Sequence, residues 1–207
     1  MATTKLSLWN AALRLLGERA LTSVTEEGES RRALDAVYDD GLLYCLAQGY
    51  WNFAIRTIEI YADTDLEPAF GLQYAFGKPN DWVRTFTVSA SETFFEPYLR
   101  YTDETDFWYS DIEPLYIRYV SKDSEVGLDL SRWPATFAKA VEAYLALEIA
   151  PLLTGTRTTR AEVEAIWHRR IVDARSKDAM NEPPGFPPPG TWVKSRRSSF
   201  GFSRRER

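Results

Sequence analysis

His168 and Cys45 are the single histidine and the single cysteine among 207 residues, and they limit the chemistry the chain can support. A metal centre of several histidines cannot be built from one imidazole. A thiol–imidazole dyad would need these two residues to meet. Cys45, however, falls in an apolar helical pattern that favours a buried thiol, and His168 sits beside Arg169 and Arg170 on what reads as a solvated helix face. The segment GLQYAFGK, residues 71–78, imitates a phosphate loop, but it places five residues between its glycines and Pro79 where magnesium would need a hydroxyl. It reads as a turn before the strand that carries Trp82. No serine occupies a Gly-x-Ser-x-Gly elbow. The adjacent acids Asp39 and Asp40, and Asp103 and Glu104, read as solvated faces rather than as an acid–base pair. The sequence therefore assigns no catalytic residue, no cofactor site and no metal site, and the chain reads as a non-enzyme.

Electrostatics offer more. Residues 183–207 hold six lysines and arginines against Glu206 alone, although the whole chain has a net charge of −5. Five of the eleven prolines lie between Pro183 and Pro189, a composition that favours an extended, semi-stiff spacer. Beyond it, aromatic and basic residues interleave. Phe186, Trp192, Lys194, Arg196, Arg197, Phe200, Phe202, Arg204, Arg205 and Arg207 together suit a docking arm. A basic terminus alone could serve as a nonspecific nucleic-acid arm or a solubilising end, but exposed aromatics promote association and favour a protein partner.

The elements that carry these residues are legible from hydrophobic spacing. Leu6, Trp9, Leu13 and Leu16 form one helical stripe, with Gly17 as its stop. Thr25 is expected to cap a second helix in which Ala33, Val37, Tyr38, Leu42, Cys45 and Leu46 share a face, running to about Trp51. Phe137, Val141, Tyr144, Leu145 and Ile149 mark a third, opened by Ser131 and Pro134 and closed near residues 151–155. Thr159 and Glu162 form a capping box for a fourth, whose face holds Val163, Ile166, Trp167, Ile171 and Ala174. Trp9, Trp51, Phe53, Trp133, Phe137 and Trp167 are the expected core anchors.

Between the second and third helices the pattern changes. Trp82, Arg84 and Phe86 alternate with Val83, Thr85 and Thr87, and β-rich runs follow at residues 98–102 and 115–120, with turns at GKPND (77–81) and SKDSEVG (121–127). These features predict an α+β, mainly α protein. Its expected parts are a four-helix bundle-like domain from residues 1–60 and 130–180, a small β-rich insertion over 61–129, and an extended proline-rich basic arm over 181–207. The N-terminal stretch is amphipathic, unlike a secretory core, and no apolar run approaches the roughly 18 residues of a membrane span. A soluble protein made in the cytoplasm, with no membrane partner, is expected.

The order of four segments resembles the head–tail adaptor family of tailed bacteriophages, the group that includes tail tubular protein A. They are LWNAALRLLGERALTSVTEEGESRRALDAVYDDGLLYCLAQGYWNFA, then YAFGKPNDWVRTFTV, then LYIRYVSK, then SRWPATFAKAVEAYLALEIAPLLTG. The most specific parts are Asn10, Leu13, Leu16 and Gly17 in an Asn-x-x-Leu-x-x-Leu-Gly pattern, Trp51-Asn52-Phe53-Ala54, and the Trp133-x-x-x-Phe137 entrance to the third helix. Gly77-Lys78 departs from the aromatic-x-Leu-Pro-x-Asp pattern of the family, while Asn80 and Asp81 keep its turn. The resemblance implies a structural virion protein at the capsid–tail junction. Such proteins form a homo-oligomeric ring of about twelve copies beneath the portal protein. The ring extends the DNA channel without sequence-specific binding and carries a downstream tail or nozzle protein. A basic C-terminal arm would dock on the portal. Two other readings remain open on the residues alone: a nucleic-acid-binding protein that uses the basic tail, and a virion-associated hydrolase.

Overall fold

The protein is described by a computed structural model for residues 3–66, 68, 71–153 and 157–181. Helix α1 (Lys5–Leu16) starts at Thr4, whose hydroxyl accepts from the Ser7 N–H while the Ser7 hydroxyl accepts from the Thr4 N–H. It stops at Gly17, whose φ of 76° lies in the left-handed region that a side chain would make costly. Helix α2 (Glu29–Ala47) begins three residues later than a cap at Thr25 predicts, with Gly28 at the N-cap instead. The reason is local. The Thr22 N–H and hydroxyl donate to Glu26 Oε2 at 2.7 and 2.8 Å, which folds Glu26 back into a turn instead of leaving it in a helix. Helix α4 (Arg157–Ala179) departs the other way and starts ahead of its expected cap, so Thr159 lies within its first turn.

Helix α3 (Ala135–Leu153) decides the architecture. Phe137, Ala138, Ala140, Val141, Ala143, Leu145, Ala146, Leu147, Ile149 and Ala150 are all buried, so the helix is apolar nearly all round and must be surrounded. It packs against α1, α2 and α4. A four-helix bundle needs one apolar stripe per helix facing a shared axis. Here the other helices cover a central one instead, and the expected mainly α, four-helix bundle-like domain is not what forms.

The fold is α+β, with two antiparallel three-stranded sheets. The first has the order β1-β6-β3, from β1 (Ile55–Ile60), β6 (Leu115–Ser121) and β3 (Trp82–Ser89). The second has the order β2-β5-β4, from β2 (Tyr74–Gly77), β5 (Phe107–Ser110) and β4 (Tyr101–Asp103). Strand β1 lies within the residues 1–60 assigned to the helical part, and it runs straight on from the short turn Asn52–Ala54 that follows α2.

Strand β6 links two cores. Its Val120 joins the helical cluster around Trp51, Phe137 and Trp133, while its Leu115 and Ile117 join Phe76, Val88 and Trp108 between the sheets. Period-two alternation puts neighbouring residues of a strand on opposite faces. Strand β3 departs from it, because register shifts against β6 fall between Trp82 and Arg84 and between Thr85 and Thr87. Trp82 and Thr85 consequently meet on the sheet-core side, whereas Val83 packs on the helical core.

Candidate functional site

Five of the six expected core anchors are buried in the helical cluster, namely Trp9, Trp51, Trp133, Phe137 and Trp167; Phe53 is half-buried and packs against it. The ten residues expected to form the docking arm, Phe186 to Arg207, lie outside the described residues.

The residues that stand out in sequence act as fasteners. Asn10 Oδ1 accepts from the Leu21 N–H at 2.7 Å and its amide donates to the Leu21 carbonyl at 3.0 Å, which ties the loop after α1 back to the helix. The Trp51 indole N–H donates to the carbonyls of Cys45 and Leu46 at 3.2 and 3.0 Å, capping the end of α2. Asn52 clamps α4, because its N–H donates to Asp178 Oδ2 and its side-chain amide donates to the Asp178 carbonyl, both at 2.9 Å. The Trp133 indole donates to the Gly127 carbonyl at 2.9 Å. A Cβ at Gly127 would stand 1.8 Å from the Ser121 carbonyl oxygen, so this approach requires glycine.

The Asn52 clamp has a consequence at the surface. It brings the last turn of α4 beside the end of α2, and the gap between them and β3 is a cleft of about 440 Å³. Tyr50, Trp51 and Phe86 line its apolar part, with the Tyr50 and Phe86 ring centres 5.0 Å apart. Arg84 and Arg175 line the rest together with Gln48, Gly49, Ala179 and Asp178, whose carboxylate is already engaged by the Asn52 N–H. The Arg84 guanidinium lies 4.2 Å from the Tyr50 ring centre and donates weakly to the Ala47 carbonyl at 3.4 Å. Arg175 donates to the Gln48 side-chain oxygen at 3.0 Å. Among the described residues both arginines meet neutral acceptors and neither forms an ion pair. A guanidinium has five N–H donors in a planar fork, so each retains the capacity to grip a carboxylate. Aromatic walls with two such cations can receive an apolar group flanked by negative charge.

Sequence reasoning missed this cleft. Trp51 and Phe53 have only Arg56 close by in the chain, and the arginines that line the space come from β3 and α4. The two register shifts of β3 also help, since the second inserts Phe86 as an extra residue.

Two polar nodes lie in the sheets. The Lys78 ammonium is 3.6 Å from the Trp82 ring centre, donates to the Glu104 carbonyl at 2.5 Å and pairs with Asp103. Thr85 receives the indole N–H groups of both Trp82 and Trp108, at 3.1 and 2.9 Å, and donates to Asp103 at 2.6 Å. Asp103, expected on a solvated face, is therefore engaged twice. At the other node Asp81 accepts from Tyr119, Ser121 and Arg56 and so joins β1 and β6 to the start of β3. Burial pushes the Asp81 carboxyl upward, but the hydrogen bonds from Ser121, Tyr119 and Arg56 outweigh it and hold its pKa below the ordinary value. Every group in these nodes has its partner, as a structural network requires.

The residues whose types could do chemistry are quiet. Cys45 is buried, and burial pushes its thiol up to about 12, so little thiolate forms near neutrality. The His168 side chain is 62% exposed and faces Glu164 at 3.9 Å along the same helix. Residues 74–77 of the GLQYAFGK segment form strand β2, paired with β5, and no phosphate-binding helix follows. Among the described residues no group of three or more His, Cys, Asp or Glu could hold a metal ion, and no helix is long and apolar enough to cross a membrane. Compared with known proteins, the sequence matches no protein-family model and no curated protein.

Proposed function

We propose that this chain is a structural adaptor of a tailed bacteriophage, which assembles as a ring beneath the portal, prolongs the DNA channel and joins the capsid to the tail. One observation carries the reading: the order of four segments along residues 5–180, with Asn10, Leu13, Leu16, Gly17, Trp51–Ala54, Trp133 and Phe137 as their most specific parts, resembles the head–tail adaptor family. The use of those residues supports it. Asn10, Gly17, Trp51, Asn52, Trp133 and Phe137 cap, clamp or fill, and a shared scaffold is preserved by residues of that kind. Charge fits as well. Lysines and arginines lining a channel would trap phosphates, whereas an acidic body lets a duplex slide.

In this reading the basic, aromatic residues 183–207 reach the portal, and repetition around a ring turns modest contacts into avidity. The mass of the chain's complex with a portal protein tests the first claim. A symmetric ring is expected, and one or two copies per portal would refute the adaptor. Deletion of residues 183–207 tests the second. Portal attachment should fall strongly in the truncated protein. Unchanged attachment together with lost duplex binding over a salt series would favour a nucleic-acid arm instead.

A further inference from the structure

The loop between β3 and β4 is held firmly in shape yet leaves apolar side chains in water. Ser89, fully buried, donates from its hydroxyl to the Ser91 carbonyl at 2.9 Å and accepts from the Ser91 N–H at 3.1 Å. The Tyr98 N–H donates to the Val88 carbonyl at 2.8 Å, and the Arg118 guanidinium lies 4.2 Å from the Phe94 ring centre. From this scaffold Phe95 and Leu99 project at 78% and 82% exposure. Glu92, three residues before the phenylalanine, is exposed too. An apolar knob on an ordered loop is unfavourable in water, and it binds at low entropic cost because the loop is already arranged.

The cleft at the ends of α2 and α4 is the complement of that loop. It offers aromatic walls where the loop offers Phe95, and Arg84 and Arg175, with Asp178 held by Asn52 beside them, where the loop offers Glu92. Its volume of about 440 Å³ exceeds what one phenyl group needs. We propose that the Phe95 loop of one copy seats in the Arg84–Arg175 cleft of the next copy of this chain. Both halves of the match belong to one sequence, which singles out a second copy as the occupant. The loop does not fill its own cleft, since Phe95 stands in solvent. Because loop and cleft are different patches, the contact is head-to-tail. Each copy keeps one open loop and one open cleft, so the contact propagates until it closes. That closure rests on the adaptor reading; the pairwise contact does not.

Complementation of two full-length variants tests the contact. One variant carries Glu92→Gln and Phe95→Ser in the loop, and the other carries Arg84→Gln and Arg175→Gln in the cleft. All four positions are exposed or line an open surface, and thermal melts verify that folding is intact; Phe95→Ser alone serves if the double loop variant melts early. Sedimentation from micromolar to millimolar concentration should show the wild type associating and each variant weakened roughly tenfold or more. A mixture of the two should form dimers and stop there, because one intact loop meets one intact cleft. Thr93→Cys mixed with Ala179→Cys should form an inter-chain disulfide with little background, since the native Cys45 is buried. A monomeric wild type throughout that range, unaltered association of either variant, or a mixture no better than its components would overturn the proposal. If a ring forms on the portal from either variant as from wild type, the loop contact falls and the adaptor stands. If the contact is found but the portal carries no ring, the reverse holds.

Discussion

Tryptophan does different work in the two halves of the molecule. In the helical half, Trp51 and Trp133 give their N–H groups to backbone carbonyls and leave their rings to fill space beside Phe137, 4.7 and 4.9 Å away between ring centres. In the sheet half, Trp82 and Trp108 give theirs to one hydroxyl, Thr85, and their rings flank the Lys78 ammonium at 3.6 and 5.4 Å. The first arrangement is fixed mainly by volume. The second is fixed by a polar set in which each member satisfies another, so it fails when a single polar atom is removed. A helix surrounded by neighbours buries enough apolar surface to tolerate a lost hydrogen bond. Strands of three and four residues do not.

The largest expected effect follows from volume. Trp51→Ala removes a side chain that is 1% exposed and should cost about 3 to 5 kcal/mol in chemical denaturation. Trp51→Phe keeps most of the ring and loses only the donor to the end of α2, so it should cost about 1 kcal/mol. Near-equal losses in the two variants would break the comparison, since they would mean that the N–H, not the ring, carries the site.

Next comes the polar set. Thr85→Val preserves shape but strips two indole donors and one carboxylate of their shared partner. A loss of about 2 kcal/mol is expected, with Thr85→Ser close to wild type. The same denaturation series measures it. If valine were tolerated at position 85, the sheets would be held by apolar packing like the helices, and the contrast would disappear.

A smaller effect depends on pH. Asp81 has its pKa lowered in the fold from the ordinary 3.8, so it favours the folded state when ionised. That contribution is complete above the unfolded pKa and disappears as pH falls through the folded one. Stability should therefore drop below about pH 4 as Asp81 gains a proton. In Asp81→Asn the neutral protein should be weaker and its acid limb flatter, as thermal melts from neutrality to pH 2 would register. An unchanged acid limb would remove the Arg56–Asp81–Tyr119 node from the forces that hold the first sheet together.

What the sequence showed depended on how local the determining force was. Helix α1 was readable from Leu6 to Gly17 because its stripe and stop are both short-range. The start of α2 was misplaced because Thr22 and Glu26 satisfy each other across a turn, which spacing alone does not reveal. Strand β1 was hidden behind the apolar stretch that ends α2, although Ile58 and Ile60 alternate with Thr57 and Glu59. Strands β2 and β5 are four residues each, too short for a period to emerge. The central position of α3 was written in its all-round apolarity, yet counting four helices suggested a bundle. The cleft had no sequence signal, because Arg84 and Arg175 come together only through the Asn52–Asp178 clamp.

The smallest expected effect concerns His168, the single histidine of the chain. Its ring lies 4.6 Å from that of Trp167 between centres, but the two neighbours have opposite fates: Trp167 is 7% exposed, and the His168 side chain is 62% exposed. The Glu164 oxygen, 3.9 Å away, is too distant for a hydrogen bond and is itself in solvent. His168→Ala should therefore change unfolding free energy by about 0.5 kcal/mol or less, as exposed substitutions without special partners do. Trp167→Ala, which opens the aromatic stack of Tyr44, Tyr144 and Trp167, should cost several times as much. Folding of the His168 variant should match wild type, and under the adaptor function proposed above so should ring assembly and particle infectivity. A variant that folds and assembles normally yet yields inactive particles would assign a task to the imidazole that an adaptor built from packing and clamps does not require, and it would return the hydrolase reading to consideration.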